Sequence, residues 1–387
     1  MKTRQAAPSA GLDPGELRSA LDDVHHAGVP GVFAEVWDGE RTWHGASGVA
    51  DVTTGRPVRA EMRHRVGSVT KSFTAAAVLQ QVERGRVGLD APIGDHLPGL
   101  VPGERGRRIT VRMLLNNTSG IPDYLPYAFP SLRGFPSLPD VSTESLDDNR
   151  FRSFRPAELI AMGLAAPPTG EPGGSTGVYS NTNWLLLGEL LAEVTGMPAE
   201  ECVTRNVIER AGLRHTGFPT GPHVEGPHSL LYESFYGLIE PPRDYSVYDM
   251  SWVGTGAALV STMADLNRFY ALLLGGGIVG PSSLVEMRRT VPVRALDGSM
   301  IRYGLGLHRV DTDHGTFWGH DGTVWGAGTL SLTRADGGRQ MSVAVNLARW
   351  NRPDASGRPR PHPVDGALKA LYATATGAPA TAAGPSR

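Results

Sequence analysis

The chain has 387 residues, 40% of them hydrophobic, and a formal net charge of −2. At a mean hydropathy of −0.20 there is apolar material for one large or two medium folded units. There is no charge asymmetry of the kind that drives binding to nucleic acid or to an anionic membrane.

Residues 1–11 and 374–387 read as loose termini. The first carries Lys2 and Arg4 but no apolar core of signal-peptide length, and no later run approaches a membrane span. The chain therefore reads as cytoplasmic as written, or as secreted if a leader has been removed. Asp13 caps a helix that opens on Pro14, a favourable first-turn residue. Residues 32–37 and 42–49 pattern as strands joined by the hairpin signal Asp38-Gly39. Helical patterns follow at 70–84, 110–116, 156–163, 182–195 and 198–210. Among them, residues 125–154 form a long loop bearing Tyr127, Phe129, Phe135, Phe151 and Phe154. Those rings either receive an apolar group or staple the loop down. Thr262 and Asp265 form a capping box for a helix to about Leu274. Strands return at 301–309, 315–319, 325–333 and 340–347, and a helix over 364–373 closes the chain. Strands from both ends and helices from the middle predict an α+β fold. One antiparallel sheet with its terminal helices takes residues 12–66 and 250–373, and a mostly helical unit is inserted at 67–249. The cleft between them is the expected site.

Three short patterns carry chemistry. Ser68 and Lys71 lie three residues apart at the head of an apolar helix, so a hydroxyl and an amine share one face. Such a lysine activates a serine only when burial or nearby positive charge lowers its pKa. Tyr179-Ser180-Asn181 follows a loop rich in Gly and Pro. It offers a phenol that shuttles a proton if neighbouring cations lower its pKa, and an amide that orients a carbonyl or the lysine. His320-Asp321-Gly322-Thr323 ends one strand pattern and begins another, with Gly322 permitting close approach. The N–H groups of Ser68 and Thr323 then make a two-donor oxyanion hole, in which each donor is typically worth about 3–4 kcal/mol. The twelve histidines form no His-Glu-x-x-His or Cys/His cluster, so neither a metal site nor a cofactor is expected. The single cysteine, Cys202, excludes an internal disulfide and reads as inert core.

In that order, Ser-x-x-Lys, Tyr-x-Asn and His-x-Gly resemble the penicillin-recognising serine hydrolases, which include class C β-lactamases, DD-peptidases and related esterases and acyltransferases. The resemblance runs from about Val32 to about Leu371 and extends to Arg65-Val66-Gly67, Thr118-Ser119-Gly120 and Tyr303-Gly304-Leu305-Gly306-Leu307. It is strongest to the low-molecular-mass D-alanyl-D-alanine carboxypeptidases that carry histidine in the third motif, and it implies the β-lactamase/transpeptidase-like fold. It also implies that Ser68 is the nucleophile, Lys71 the base or its partner, and Tyr179 the proton relay. Asn181 would orient substrate, His320 would supply the third wall, and Trp252 would match an aromatic wall of the cleft.

Two positions depart from the family pattern. His308 stands where an arginine grips the substrate's terminal carboxylate, and Asp321 replaces a small hydroxyl or glycine. A carboxylate there repels another carboxylate and suits a neutral or cationic leaving part. Alternatively, Asp321 faces solvent and Arg309 does the gripping from a bulge. The expected function is a serine hydrolase working through an acyl-enzyme on a small-molecule or peptide substrate, nearest to a D-alanyl-D-alanine carboxypeptidase. The alternatives are a biosynthetic peptide thioesterase, cyclase or acyltransferase, and a β-lactam-binding sensor that does not turn over. The oligomeric state is left open by the sequence.

Overall fold

The computed structural model describes residues 11–134, 137 and 141–377. Its centre is a ten-stranded sheet. In chain order the strands are β1 (Gly31–Trp37), β2 (Thr42–Asp51), β3 (Arg56–Pro57), β4 (Gly177–Val178), β5 (Val291–Arg294), β6 (Met300–Tyr303), β7 (His308–Thr312), β8 (Gly315–Val324), β9 (Ala327–Arg334) and β10 (Gln340–Val345). Their spatial order is β3-β2-β1-β10-β9-β8-β7-β6-β5-β4. The N-terminal hairpin meets the last strand in the middle, with Val32 opposite Val345. All pairings are antiparallel except that of β4 with β5 at the far edge.

Helix α1 (Pro14–His26) and the closing helix α5 (Pro363–Thr376) cover one face of the sheet. Leu21 and Val24 meet Leu368 and Leu371 over Val343 and Val345. Asp13 caps α1 as expected, accepting from the N–H groups of Gly15 and Glu16 at 2.8 and 3.1 Å. The opposite face carries α4 (Met263–Leu274) and, beyond it, α2 (Thr70–Glu83) and α3 (Asn181–Thr195). Both faces being covered, every residue of β10 is buried. Helix α2 is buried all round from Thr70 to Gln81, the state expected of a helix with no polar face. Its buried hydroxyls are satisfied across the interface, as where Ser72 donates to the Gly306 carbonyl at 2.7 Å and Thr74 to that of Thr255 at 2.8 Å.

Several expectations are corrected. The third motif is not a junction between strands, because β8 runs unbroken from Gly315 to Val324 and turns at Trp325-Gly326. The strand expected at 301–309 is two, β6 and β7, paired with each other. The first hairpin spans residues 38–41, closed by the Asp38 N–H to the Arg41 carbonyl at 3.1 Å, so it is a four-residue connection. At α4 only half a capping box forms. Thr262 accepts from the Asp265 N–H, while the Asp265 carboxylate takes the His215 N–H at 2.8 Å instead. The full box lies at α5, between His362 and Asp365. The helix expected at 198–210 is α-helical over Ala199–Val203 and a π-helix over Thr204–Glu209. Residues 374–376, read as tail, are the last turn of α5.

The 125–154 segment holds short helical turns at Leu125–Ala128, Pro130–Leu132 and Glu144–Asp148. Phe129 and Phe154 are buried in the core, whereas Tyr127 and Phe151 are exposed; Phe135 lies outside the described residues. Among the described residues no helix is long and apolar enough to cross a membrane.

Truncating Leu371, fully buried between α1 and the sheet, tests this packing. Leu371→Ala is expected to cost about 2–5 kcal/mol in a denaturant titration; a loss under about 1 kcal/mol would show that the terminal helices do not cement the sheet.

Candidate active site

Ser68 sits in a single 3-10 turn, Gly67–Val69, that feeds directly into α2. Gly67 takes a positive φ of 54°, which bends the chain so that the serine stands at the helix entrance. One turn on, Lys71 is fully buried and spends all three donors: on Ser68 Oγ at 3.0 Å, Asn181 Oδ1 at 2.8 Å and the Gly256 carbonyl at 2.9 Å. Burial pushes its pKa down to about 7, although Asp123 and Asp321 both pull it up. The sequence argument allowed nearby positive charge to contribute; the structure surrounds the amine with carboxylates, so desolvation alone does the lowering.

Tyr179 stands beside this pair, the Lys71 amine lying 5.1 Å from the centre of its ring. Burial holds the phenol well above its ordinary pKa, so it stands protonated, contrary to the expectation of a cation-lowered phenol. Asn181 is fixed from behind by Asp123, a residue the sequence reading did not single out. The Asp123 carboxylate accepts from the Asn181 backbone and side-chain N–H groups, both at 2.8 Å, and from the Leu125 N–H at 2.8 Å. The amide is thereby turned with its oxygen towards Lys71. Asp123 lies three residues beyond the quoted Thr118-Ser119-Gly120 run, and that proximity is the one sequence signal pointing to it. The Gly256 carbonyl carried no signal, since any residue supplies a carbonyl.

The third motif closes the site from the sheet side. A Cβ on Gly322 would lie 2.0 Å from the Val66 carbonyl oxygen and 2.9 Å from the Ser68 nitrogen, and one on Gly67 would lie 2.7 Å from the Thr323 nitrogen. Two glycines thus let β8 press against the serine turn, bringing the Ser68 and Thr323 amides into one crevice. His320 is buried and neutral, its pKa held well below the ordinary value by burial. It donates from Nδ1 to the Asp321 carbonyl at 2.5 Å and accepts at Nε2 from Tyr303, 2.9 Å away. Its ring lies 6.5 Å from that of Tyr179.

His308 pairs through Nδ1 with the Asp321 carboxylate at 3.2 Å. Asp321 is 57% exposed, yet it is engaged by His308 and not simply solvated. Arg309 opposes Trp318 in the register, where His308 opposes Gly319, and its guanidinium is bonded to Asp311 at 3.0 Å. Arg309 is therefore committed to Asp311 and not free to grip a substrate carboxylate. Trp252 is buried, stacked on Trp325 at 5.1 Å with Phe129 edge-on at 5.6 Å, and its carbonyl accepts from Tyr124.

A serine at a helix entrance, a buried lysine, a phenol and a strand edge thus meet in one place. The Beta-lactamase family model matches residues 17–364, and the chain belongs to that family. It is 25% identical over 337 residues to the D-aminopeptidase of Cereibacter sphaeroides, covering 86% of this chain and 60% of that protein. It is also 25% identical over 312 residues to penicillin-binding protein 4* of Bacillus subtilis, covering 77% and 64%. The chain thus spans less than two thirds of the length of these two relatives. The crystal structure of a D-stereospecific amidohydrolase from Streptomyces sp. superimposes with a TM-score of 0.76 at 34% identity, covering 87% of this chain and 95% of that one.

The seam between β8 and the serine turn has no room for a methyl group. Gly322→Ala is expected to lower stability by about 1–3 kcal/mol in a denaturant titration; an unchanged midpoint would show that the seam is not packed as described.

Proposed function

We propose that this chain is an acyl-enzyme amidohydrolase for D-amino-acid amides or peptides whose leaving part carries no free carboxylate. The observation that carries the reading is the 3.0 Å contact between the buried Lys71 amine and Ser68 Oγ. With its pKa at about 7, Lys71 is unprotonated for much of the time near neutrality and takes the Ser68 proton as the hydroxyl attacks the carbonyl. The amides of Ser68 and Thr323 hold the oxyanion. The protonated Tyr179 gives its proton to the departing amine or ammonia and regains one from Lys71, which holds the proton taken from Ser68. Water then resolves the ester, with the same groups acting in reverse. Asp123 keeps Asn181 facing Lys71, and His320 with Tyr303 forms the wall on the sheet side.

Asp321 sets the preference at the leaving end. Its carboxylate disfavours a terminal carboxylate, and Arg309, tied to Asp311, does not offset it. This weighs against a strict D-alanyl-D-alanine carboxypeptidase. The names of the D-aminopeptidase and D-stereospecific amidohydrolase relatives support amide and amine-bearing substrates.

Intact-mass spectrometry tests the nucleophile. Incubated with penicillin, a D-Ala-D-Ala peptide, a D-amino-acid amide and a peptidyl thioester, the native chain should acquire an acyl adduct that Ser68→Ala lacks. An adduct on the alanine variant would reject the mechanism. The pH dependence follows from Lys71: the active base form grows as pH rises through about 7, so kcat/KM for an uncharged amide should climb tenfold per unit below that value and level above it. A profile flat from pH 5 to 9 would remove lysine from the role of base. Asp321→Ser should raise kcat/KM for a D-Ala-D-Ala peptide relative to the matching amide by about tenfold, the effect of roughly 1.4 kcal/mol of relieved repulsion; an unchanged ratio would show that Asp321 does not read the leaving group.

A further inference from the structure

The His308–Asp321 pair that marks the departure from the family pattern also converges with His320. Asp321 Oδ1 lies 3.2 Å from His308 Nδ1 and 3.6 Å from His320 Nδ1, and one ligand atom from each of the three residues falls within 4.8 Å of the others. The two imidazole rings are 4.1 Å apart, tilted by 38°. Zinc bound tetrahedrally, about 2.0–2.1 Å from nitrogen or oxygen, separates its ligand atoms by about 3.3–3.4 Å. Both measured edges bracket that value. The residues stand on the adjacent strands β7 and β8, which pair from His308 opposite Gly319.

We propose that His308, Asp321 and His320 form an inhibitory site for a divalent transition-metal ion of the zinc type, at the leaving-group end of the cleft. Two imidazole nitrogens and one carboxylate oxygen suit zinc, copper or nickel, not the all-oxygen preferences of calcium and magnesium. The half-exposed Asp321 side chain gives an entry path and leaves the fourth position to water. When the ion takes His320 Nδ1, the ring proton resides on Nε2 and is donated to the Tyr303 oxygen, already 2.9 Å away. That reverses the present hydrogen bond and supplies the outer-shell partner that metal-bound histidines use. The cost is the Nδ1–H bond to the Asp321 carbonyl, which is lost when Nδ1 gives up its proton and turns its lone pair to the ion. Zinc therefore binds here more weakly than at a structural site, and it replaces the His320 tautomer described above. Binding stands apart from the reaction proposed above, whereas inhibition rests on it.

Equilibrium dialysis of the full chain against Zn²⁺, with bound metal counted by elemental mass spectrometry, should show one zinc per chain at micromolar free ion. His308→Ala and Asp321→Asn should each weaken binding at least tenfold. His26→Ala, which removes an exposed histidine of the neighbouring His25–His26 pair on α1, should leave it unchanged. Mg²⁺ should not compete. Zinc should also shield the partly exposed His308 from diethylpyrocarbonate, mapped by peptide mass, a measurement on the native chain that needs no variant to fold. Zinc held as tightly by His308→Ala as by the native chain, loss only in His26→Ala, or no shielding would each overturn the site. Hydrolysis of a p-nitrophenyl ester should fall with the same half-saturation and recover with EDTA; full zinc occupancy without inhibition would overturn its placement against the reacting groups.

Discussion

The structure is organised around an amine taken out of water. Lys71 has no solvent contact, and its three donors reach a hydroxyl in the turn that leads into its helix, an amide on α3 and a carbonyl in the short helix Gly254–Ala257. Each acceptor belongs to a different part of the chain. Leaving such an amine charged and unpaired costs far more than the net worth of the bonds, so the three segments are held together by the requirement to satisfy it. Asp123 extends the logic by one layer. It is itself half-buried, and it is tolerated because three N–H groups and the nearby amine answer its charge.

How legible the molecule was in its sequence differs by element. The helix at 70–83 and the strands near both ends could be read because their periodicity matches one-sided or complete burial, which hydrophobic pattern encodes directly. The three motifs could be read because their chemistry depends on residue type and order. What escaped was set by tertiary partners. The unbroken β8 looked interrupted because Asp321-Gly322 is also a turn signature, and nothing local says that Gly322 is needed to admit the serine turn. Asp265 looked like half of a capping box, but a distant backbone N–H at His215 competes for it more effectively. Asp123 was missed because its importance lies in which way it turns Asn181, a fact about space and not about spacing.

The substitutions that separate this chain from the carboxypeptidase pattern act as a pair. A lone Asp321 would be a solvated carboxylate; with His308 beside it, the carboxylate is positioned and the histidine's Nδ1 is satisfied. The two residues come from adjacent strands, so they share one local geometry, and changing either alters the surroundings of the other. The chemistry at that end of the cleft is therefore best regarded as a two-residue unit.

The glycine-to-glycine contact between β8 and the serine turn has a mechanical corollary. With backbone lying against backbone and no side chain to act as a spacer, that junction has almost no compliance, and the sheet cannot slide or hinge there without dislodging Ser68. Any movement that admits or releases a bulky molecule must therefore be carried by other parts of the fold, while the Ser68 turn and β8 stay in register.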